Sequence, residues 1–139
     1  HRRHILVVDD EELVRFTLKD YFGEEGFRVS QAESVAAARD VLDREAVDLI
    51  LLDIRMPGED GLSLAREVRS GSRMPIILLT GRVDDADKVL GLELGADDYV
   101  TKSFDHRDLR SKVNALFGLP ESPERNPSRP DASNPGNGT

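Results

Sequence analysis

Three runs of four consecutive aliphatic residues, Ile5–Val8, Leu49–Leu52 and Ile76–Leu79, do most to restrict the fold. None alternates apolar with polar positions, so each reads as a strand buried on both faces, the pattern of a parallel sheet. Two weaker runs, Phe27–Ser30 and Tyr99–Val100, complete a set of five. Helical stripes separate them. Leu13, Thr17 and Tyr21 run beside Val14, Leu18 and Phe22; the next stripes are Ala38, Val41 and Leu42, then Leu64, Ala65 and Val68. A fourth carries Ala86, Leu90 and Leu94, and the last carries Leu109, Val113, Leu116 and Phe117. Ser34 suits a helix N-cap, Gly23 and Gly26 punctuate the first helix, and Pro75 precedes the fourth strand. Five βα units with single-helix crossovers predict an α/β fold, a doubly wound five-stranded parallel sheet.

No aliphatic run is long enough for a membrane span, which needs about 18 apolar residues. No secretory h-region is visible near the start, so no leader is expected, and there are no cysteines. Together these exclude a disulfide framework, a thiolate nucleophile and a cysteine zinc site, and a cytoplasmic protein without membrane contact is expected. The net charge is −8 and no basic stripe is visible, so this stretch is not expected to bind nucleic acid directly.

Composition changes at Gly118. Residues 118–139 hold five of the seven prolines, and Leu119 and Ala132 are their only aliphatic side chains. Such a segment cannot bury enough surface to offset its ordering entropy. The expected division is a folded body over 4–117 and a flexible tail or linker over 118–139. The tail is either a native C-terminus or a linker cut before an output domain.

In doubly wound sheets ligands lie beyond the carboxyl ends of the strands. The first strand ends in Asp9-Asp10, the third in Asp53, the fourth in Thr80, and the fifth runs into Lys102. Each alone has an ordinary explanation as a helix cap or a surface charge, and Glu11 and Glu12 are expected only to cap the first helix. Brought to one rim they make a chemical site. Asp10 and Asp53 side by side resist joint ionisation, and a hard divalent cation relieves that conflict. A lysine and a threonine hydroxyl suit phosphate oxygens, and a carboxylate can serve as the nucleophile of an acyl phosphate. The site is suited to taking a phosphoryl group onto Asp53.

The residues Asp9-Asp10, Asp53-Ile54-Arg55-Met56-Pro57-Gly58 with Asp60-Gly61, Leu79-Thr80, and Gly95-Ala96-Asp97-Asp98-Tyr99 with Lys102 resemble the response-regulator receiver domain of two-component signalling. The resemblance covers essentially all of 4–117. It implies a flavodoxin-like (βα)5 fold with strand order 2-1-3-4-5 and a phosphoryl transfer from a sensor histidine kinase, or a phosphotransfer protein, to Asp53. It further implies Mg²⁺ held by Asp10, Asp53 and the Arg55 carbonyl, with Asp9 acting through water. Lys102 then contacts the phosphoryl oxygens, and Thr80 closes on them while Tyr99 turns inward. The protein so implied is a phosphoprotein switch rather than an enzyme.

The stretch 89–102 resembles most the OmpR-like subgroup, whose receivers pair through the helix of Ala86–Leu94, the last strand and the last helix. That template sets Lys88 opposite Asp108 and Asp98 opposite Lys112 in a homodimer formed on phosphorylation. There are departures from the family pattern. Ser103 stands where proline, after a cis peptide, usually follows the lysine, and the expectation is a trans loop that displaces Lys102. Gly81 follows Thr80 where alanine is common, and Arg55 and Arg82 flank the site. Two rivals remain at this point: a receiver that acts by contact alone, and an aspartyl-phosphate hydrolase. The second usually carries Asp-x-Asp, which Asp53-Ile54-Arg55 lacks. A catalytic histidine has little support, with His1 and His4 at the terminus and His106 expected to cap its helix.

Overall fold

The structure is a computed structural model that describes residues 2–58, 61–81 and 92–120. Within it lie strands β1 (His4–Val8), β2 (Arg28–Ala32), β3 (Leu49–Asp53), β4 (Ile76–Thr80) and β5 (Asp98–Thr101). The helices are α1 (Glu12–Glu24), α2 (Val35–Arg44), α3 (Gly61–Gly71) and α4 (His106–Phe117). All four strand pairings are parallel, and the order is β2-β1-β3-β4-β5. That is the order the resemblance implied.

The three aliphatic runs are the three central strands, and every residue of β1, β3 and β4 is buried. β2 is an edge strand in which only Ala32 is buried, which is why its sequence is the most polar of the five. One face of the sheet packs Leu6, Val8, Ile50, Leu52, Ile76 and Leu78 against Val35, Ala38 and Val41 of α2 and Leu62, Leu64 and Ala65 of α3. The alternate strand residues, Ile5, Val7, Leu49, Leu51, Ile77 and Leu79, are also fully buried, so both faces are covered. α1 packs along β1 and β2 through Leu18 and Phe22.

Local signals act where the sequence placed them, with two corrections. Ser34 caps α2, its hydroxyl accepting a hydrogen bond from the Ala37 N–H at 3.0 Å. Gly26, at φ +98°, ends α1 in a conformation that favours glycine. The second strand begins at Arg28, not Phe27. Phe27 donates its N–H to the Phe22 carbonyl at 3.0 Å, and that bond belongs to the helix terminus rather than the sheet. Leu13, read as part of a core stripe, is 78% exposed, whereas Leu18 and Phe22 carry the burial.

The chain divides into two units, the second beginning at Arg107. In that second unit Leu109, Val113 and Phe117 are buried as their spacing predicts, and Arg110 and Asn114 are buried with them. The expected helix of Ala86, Leu90 and Leu94 has residues 82–91 outside the described residues, as do Arg82, Lys88 and the expected tail from 121 onward. Among the described residues no helix is long and apolar enough to cross a membrane.

Candidate functional site

The carboxyl ends of β1, β3 and β4 and the turn after β5 carry the site. β1 and β3 pair as far as Val8–Leu52, so the residues just beyond them, Asp9 and Asp53, emerge side by side. Asp9 is held by backbone bonds on both sides. Its own N–H donates to the Ala32 carbonyl at 3.0 Å, and its Oδ1 accepts from the Glu11 N–H at 2.8 Å. Asp53 Oδ1 accepts from the Arg55 N–H at 3.2 Å, which ties its side chain to the chain leaving β3.

Lys102 joins these groups. Its ammonium donates to Asp9 Oδ1 at 3.2 Å, to Asp53 Oδ2 at 3.1 Å and to Glu11 Oε1 at 2.5 Å. The backbone sets this reach, because the Lys102 N–H donates to the Thr80 carbonyl at 2.7 Å and so fixes the turn beside β4. With Ser103 in the place of the usual proline, Lys102 still reaches Asp9 and Asp53. The turn closes with a Phe104 N–H bond to the Thr101 carbonyl at 3.0 Å and contact between the Thr101 and Ser103 hydroxyls.

Asp9 and Asp53 are almost fully buried, and Asp10 is exposed at the rim. Ligand oxygens of Asp9, Asp10 and Asp53 all lie within 4.8 Å of one another. Asp9 Oδ2 is buried and has no hydrogen-bond donor, although it sits 3.0 Å from Lys102 Nζ as an ion pair. Burial pushes the Asp53 carboxyl up to about 6, and the charge of Asp9 adds to the rise against the pull of Lys102. Burial raises Asp9 as well. For Lys102 burial acts downward, but the hydrogen bonds to Glu11 and Asp9 and the charges of Asp53 and Asp9 outweigh it, so its ammonium is held charged. Several carboxylates thus face one ammonium, with a buried oxygen left over. A hard divalent cation with an incomplete protein shell fits that donor set.

Thr80 is buried at the end of β4, and Tyr99 is half-buried against the core. Register pairs Leu78 with Tyr99 and Thr80 with Thr101, so Thr80 and Tyr99 project to one face of the sheet. Asp53 pairs with Leu79 and therefore projects to the other. Arg55 is exposed beside Asp53.

Sequence reasoning missed two features. Glu11 occupies the N-cap position of α1 but makes no side-chain cap bond; its carboxylate binds Lys102 instead. The second is a groove of about 190 Å³ lined by Leu13, Val14, Thr17, Leu18, Lys102, Phe104 and His106. His106 does not serve as the expected cap there: it is the first residue of α4, and its ring stacks on Tyr21 with centroids 5.0 Å apart. His4, read as terminal, is buried, with Nδ1 2.8 Å from the Ala46 carbonyl and Nε2 2.7 Å from the Ser30 hydroxyl.

Comparison with known proteins agrees with the geometry. The sequence pattern of the response regulator receiver domain matches residues 5–114. The chain belongs to the response-regulator receiver family. It is 47% identical over 114 residues to the TorCAD operon transcriptional regulatory protein TorR of Escherichia coli K12, covering 82% of this chain and 50% of that protein. The aerobic respiration control protein ArcA of the same strain is 44% identical over 114 residues, covering 82% of this chain and 48% of ArcA. This receiver chain spans about half the length of the curated relatives it matches. Among solved structures, the receiver domain of the TMAO respiratory system response regulator TorR superposes with a TM-score of 0.79 at 47% identity, covering 83% of this chain and 96% of that one. The BeF3-activated receiver domain of Klebsiella pneumoniae RstA gives 0.78 at 34% identity, covering 81% and 97%. Receivers are signalling domains of two-component systems, phosphorylated by histidine kinases, and the family binds Mg²⁺ at an acidic pocket of the kind Asp9, Asp10 and Asp53 form here.

Proposed function

We propose that this receiver takes a phosphoryl group from a sensor histidine kinase, or from a phosphotransfer protein, onto Asp53. The observation that carries the reading is the Lys102 ammonium set 3.1 Å from Asp53 Oδ2 and 3.2 Å from Asp9 Oδ1. In the step, an Asp53 oxygen bonds to phosphorus while the bond from phosphorus to the donor's imidazole nitrogen breaks, the nitrogen keeping the electron pair. The two buried carboxylates and Lys102 fix the acceptor in place and exclude water from one side of it. Asp10, Asp53 and the Arg55 carbonyl would hold Mg²⁺, with Asp9 acting through water. Bound there, the ion neutralises charge on the phosphoryl oxygens. Lys102 donates to those oxygens and Thr80 closes on them. A charge-assisted hydrogen bond of this kind contributes about 1.5–3 kcal/mol. That is enough to bias a two-state element in which Tyr99 moves inward on the face it shares with Thr80. The groove beside Lys102, with exposed Leu13 and Phe16 near it on α1, supplies an apolar surface for the donor protein.

Intact-mass spectrometry after incubation with acetyl phosphate tests the reading. One phosphoryl adduct is expected, dependent on Mg²⁺ and lost in Asp53→Asn. An adduct that persists in the variant, or none in the wild type, sinks it.

TorR is named a transcriptional regulatory protein, and the 114 matched residues cover half of it, which supports the OmpR-like assignment. On that basis the folded unit is 4–117, residues 118–139 lead toward an output domain, and phosphorylation pairs two copies through Lys88, Asp98, Asp108 and Lys112. Sedimentation of the phosphorylated protein at roughly tens of micromolar should then report a dimer, and a monomer at that concentration removes the pairing.

A further inference from the structure

The three N–H bonds of the Lys102 ammonium are all engaged before any phosphoryl group arrives: one to Asp9, one to Asp53 and one to Glu11. An ammonium has three donors and no more. Asp53 itself becomes the acyl phosphate, so a phosphoryl oxygen inherits its bond to Lys102, and a second phosphoryl oxygen reaches the ammonium only where Asp9 or Glu11 gives way. The acceptors differ in what leaving involves. The Asp9 side chain is 0% exposed, and burial leaves it no water to replace the ammonium. The Glu11 side chain is 58% exposed and can turn into solvent, where water takes over its bonds.

We infer that Glu11 is a positioning residue that latches Lys102 in the resting receiver and yields it when the phosphoryl group forms on Asp53. This rests on the functional reading above and adds a regulatory element to it. The latch has two consequences. It holds the ammonium over the acceptor before the donor arrives, and it opposes phosphorylation by the free energy of the Glu11–Lys102 bond. An exposed ion pair contributes about 0.2–1 kcal/mol, which corresponds to roughly 1.5- to 5-fold in rate or lifetime. Glu11 also lacks a competing role as a helix cap, since it makes no side-chain bond to the start of α1.

The test uses two substitutions with opposite chemistry. Glu11→Gln keeps the reach and removes the charge; Glu11→Asp keeps the charge and withdraws it by one methylene. Growth of the phosphoryl adduct from acetyl phosphate is followed by intact mass at saturating Mg²⁺. In that reaction an Asp53 oxygen bonds to phosphorus and acetate leaves with the P–O electron pair. The latch predicts faster growth in both variants, by roughly 1.5- to 5-fold. Acceleration in Glu11→Gln alone would assign the effect to local charge and overturn the latch.

A second measurement does not depend on turnover. The Glu11 side-chain carboxylate carbon resonance of the wild type should move when beryllofluoride, a phosphoryl mimic, is added with Mg²⁺. A resonance that stays in place overturns the proposal. A wild type that takes neither acetyl phosphate nor beryllofluoride sinks the functional reading and the latch together. A wild type that takes both, with variants at the wild-type rate, sinks the latch alone.

Discussion

Asp53→Asn is expected to be more stable than the wild type at pH 7 in metal-free buffer, by about 1–3 kcal/mol. Burial is the main reason, with the charge of Asp9 behind it: together they raise the Asp53 carboxyl from 3.8 to about 6 in the folded protein. The unfolded chain ionises this group near 3.8, so between those values the native state holds the extra proton. The stabilisation from that proton is complete below about pH 4 and is lost as pH rises through 6. Above that range the ionised carboxylate is a fixed cost of folding, and asparagine removes it while keeping the shape. Urea denaturation in EDTA between pH 4.5 and 8 reads the effect. The wild-type midpoint should fall toward neutral pH, the variant should fall less, and the two should converge in acid. Some slope remains in the variant because Asp9 is raised as well. Mg²⁺ should narrow the gap, since a ligand that binds only the native wild type stabilises it by mass action. Equal midpoints in EDTA at pH 7 would mean that the resting site carries no electrostatic strain.

That strain connects the fold to the function. A parallel sheet brings strand ends together whatever residues occupy them, and here it brings together carboxylates that repel. The chain tolerates the arrangement because apolar β1, β3 and β4 are buried along their whole length. The same repulsion favours a cation and, once it is bound, an incoming phosphoryl group.

The strands were legible because their burial is written in runs of Ile, Leu and Val, and the site was legible because each run ends in a polar residue. Strand order was not readable from those runs. Nothing in Ile5–Val8 encodes that it lies between β2 and β3, and only the resemblance supplied the order. Leu13 illustrates the limit of helical periodicity. An apolar residue at i−4 from Thr17 looks the same in sequence whether it enters a core or borders a groove, and Leu13 is 78% exposed. Glu11 illustrates another limit. Its partner Lys102 lies 91 positions away, so a local reading assigns the carboxylate to the nearest helix end. Phe27 failed for a third reason: the chain leaving α1 needs its N–H, and propensity alone does not weigh that competition.

Gly61→Ala is expected to destabilise the receiver by about 2–4 kcal/mol and to lower phosphoryl uptake. Gly61 begins α3, and its N–H donates to the Ile54 carbonyl at 2.9 Å. A methyl group there would run into the Asp53 carbonyl oxygen and crowd the Asp53 carbonyl carbon and the Ile54 Cα. All three are backbone atoms at the end of a fully buried strand, so nothing on that side can rotate away. Either α3 withdraws from β3, opening the contact of Leu62, Leu64 and Ala65 with the sheet, or the backbone that carries Asp53 shifts. The first outcome costs stability, and the second misaligns Asp53 with Lys102. Gly23→Ala is the control. Gly23 lies in α1, and a Cβ there would meet nothing within 4 Å, so relief of the glycine entropy cost should leave stability unchanged or raise it by up to about 1 kcal/mol. Denaturation midpoints of both variants, measured with the rate of adduct formation from acetyl phosphate, separate the two routes. A Gly61→Ala protein as stable as the wild type but slow to accept phosphoryl would place the whole effect on the Asp53 backbone. One that is both stable and fast would show that the close approach of α3 to β3 is not required.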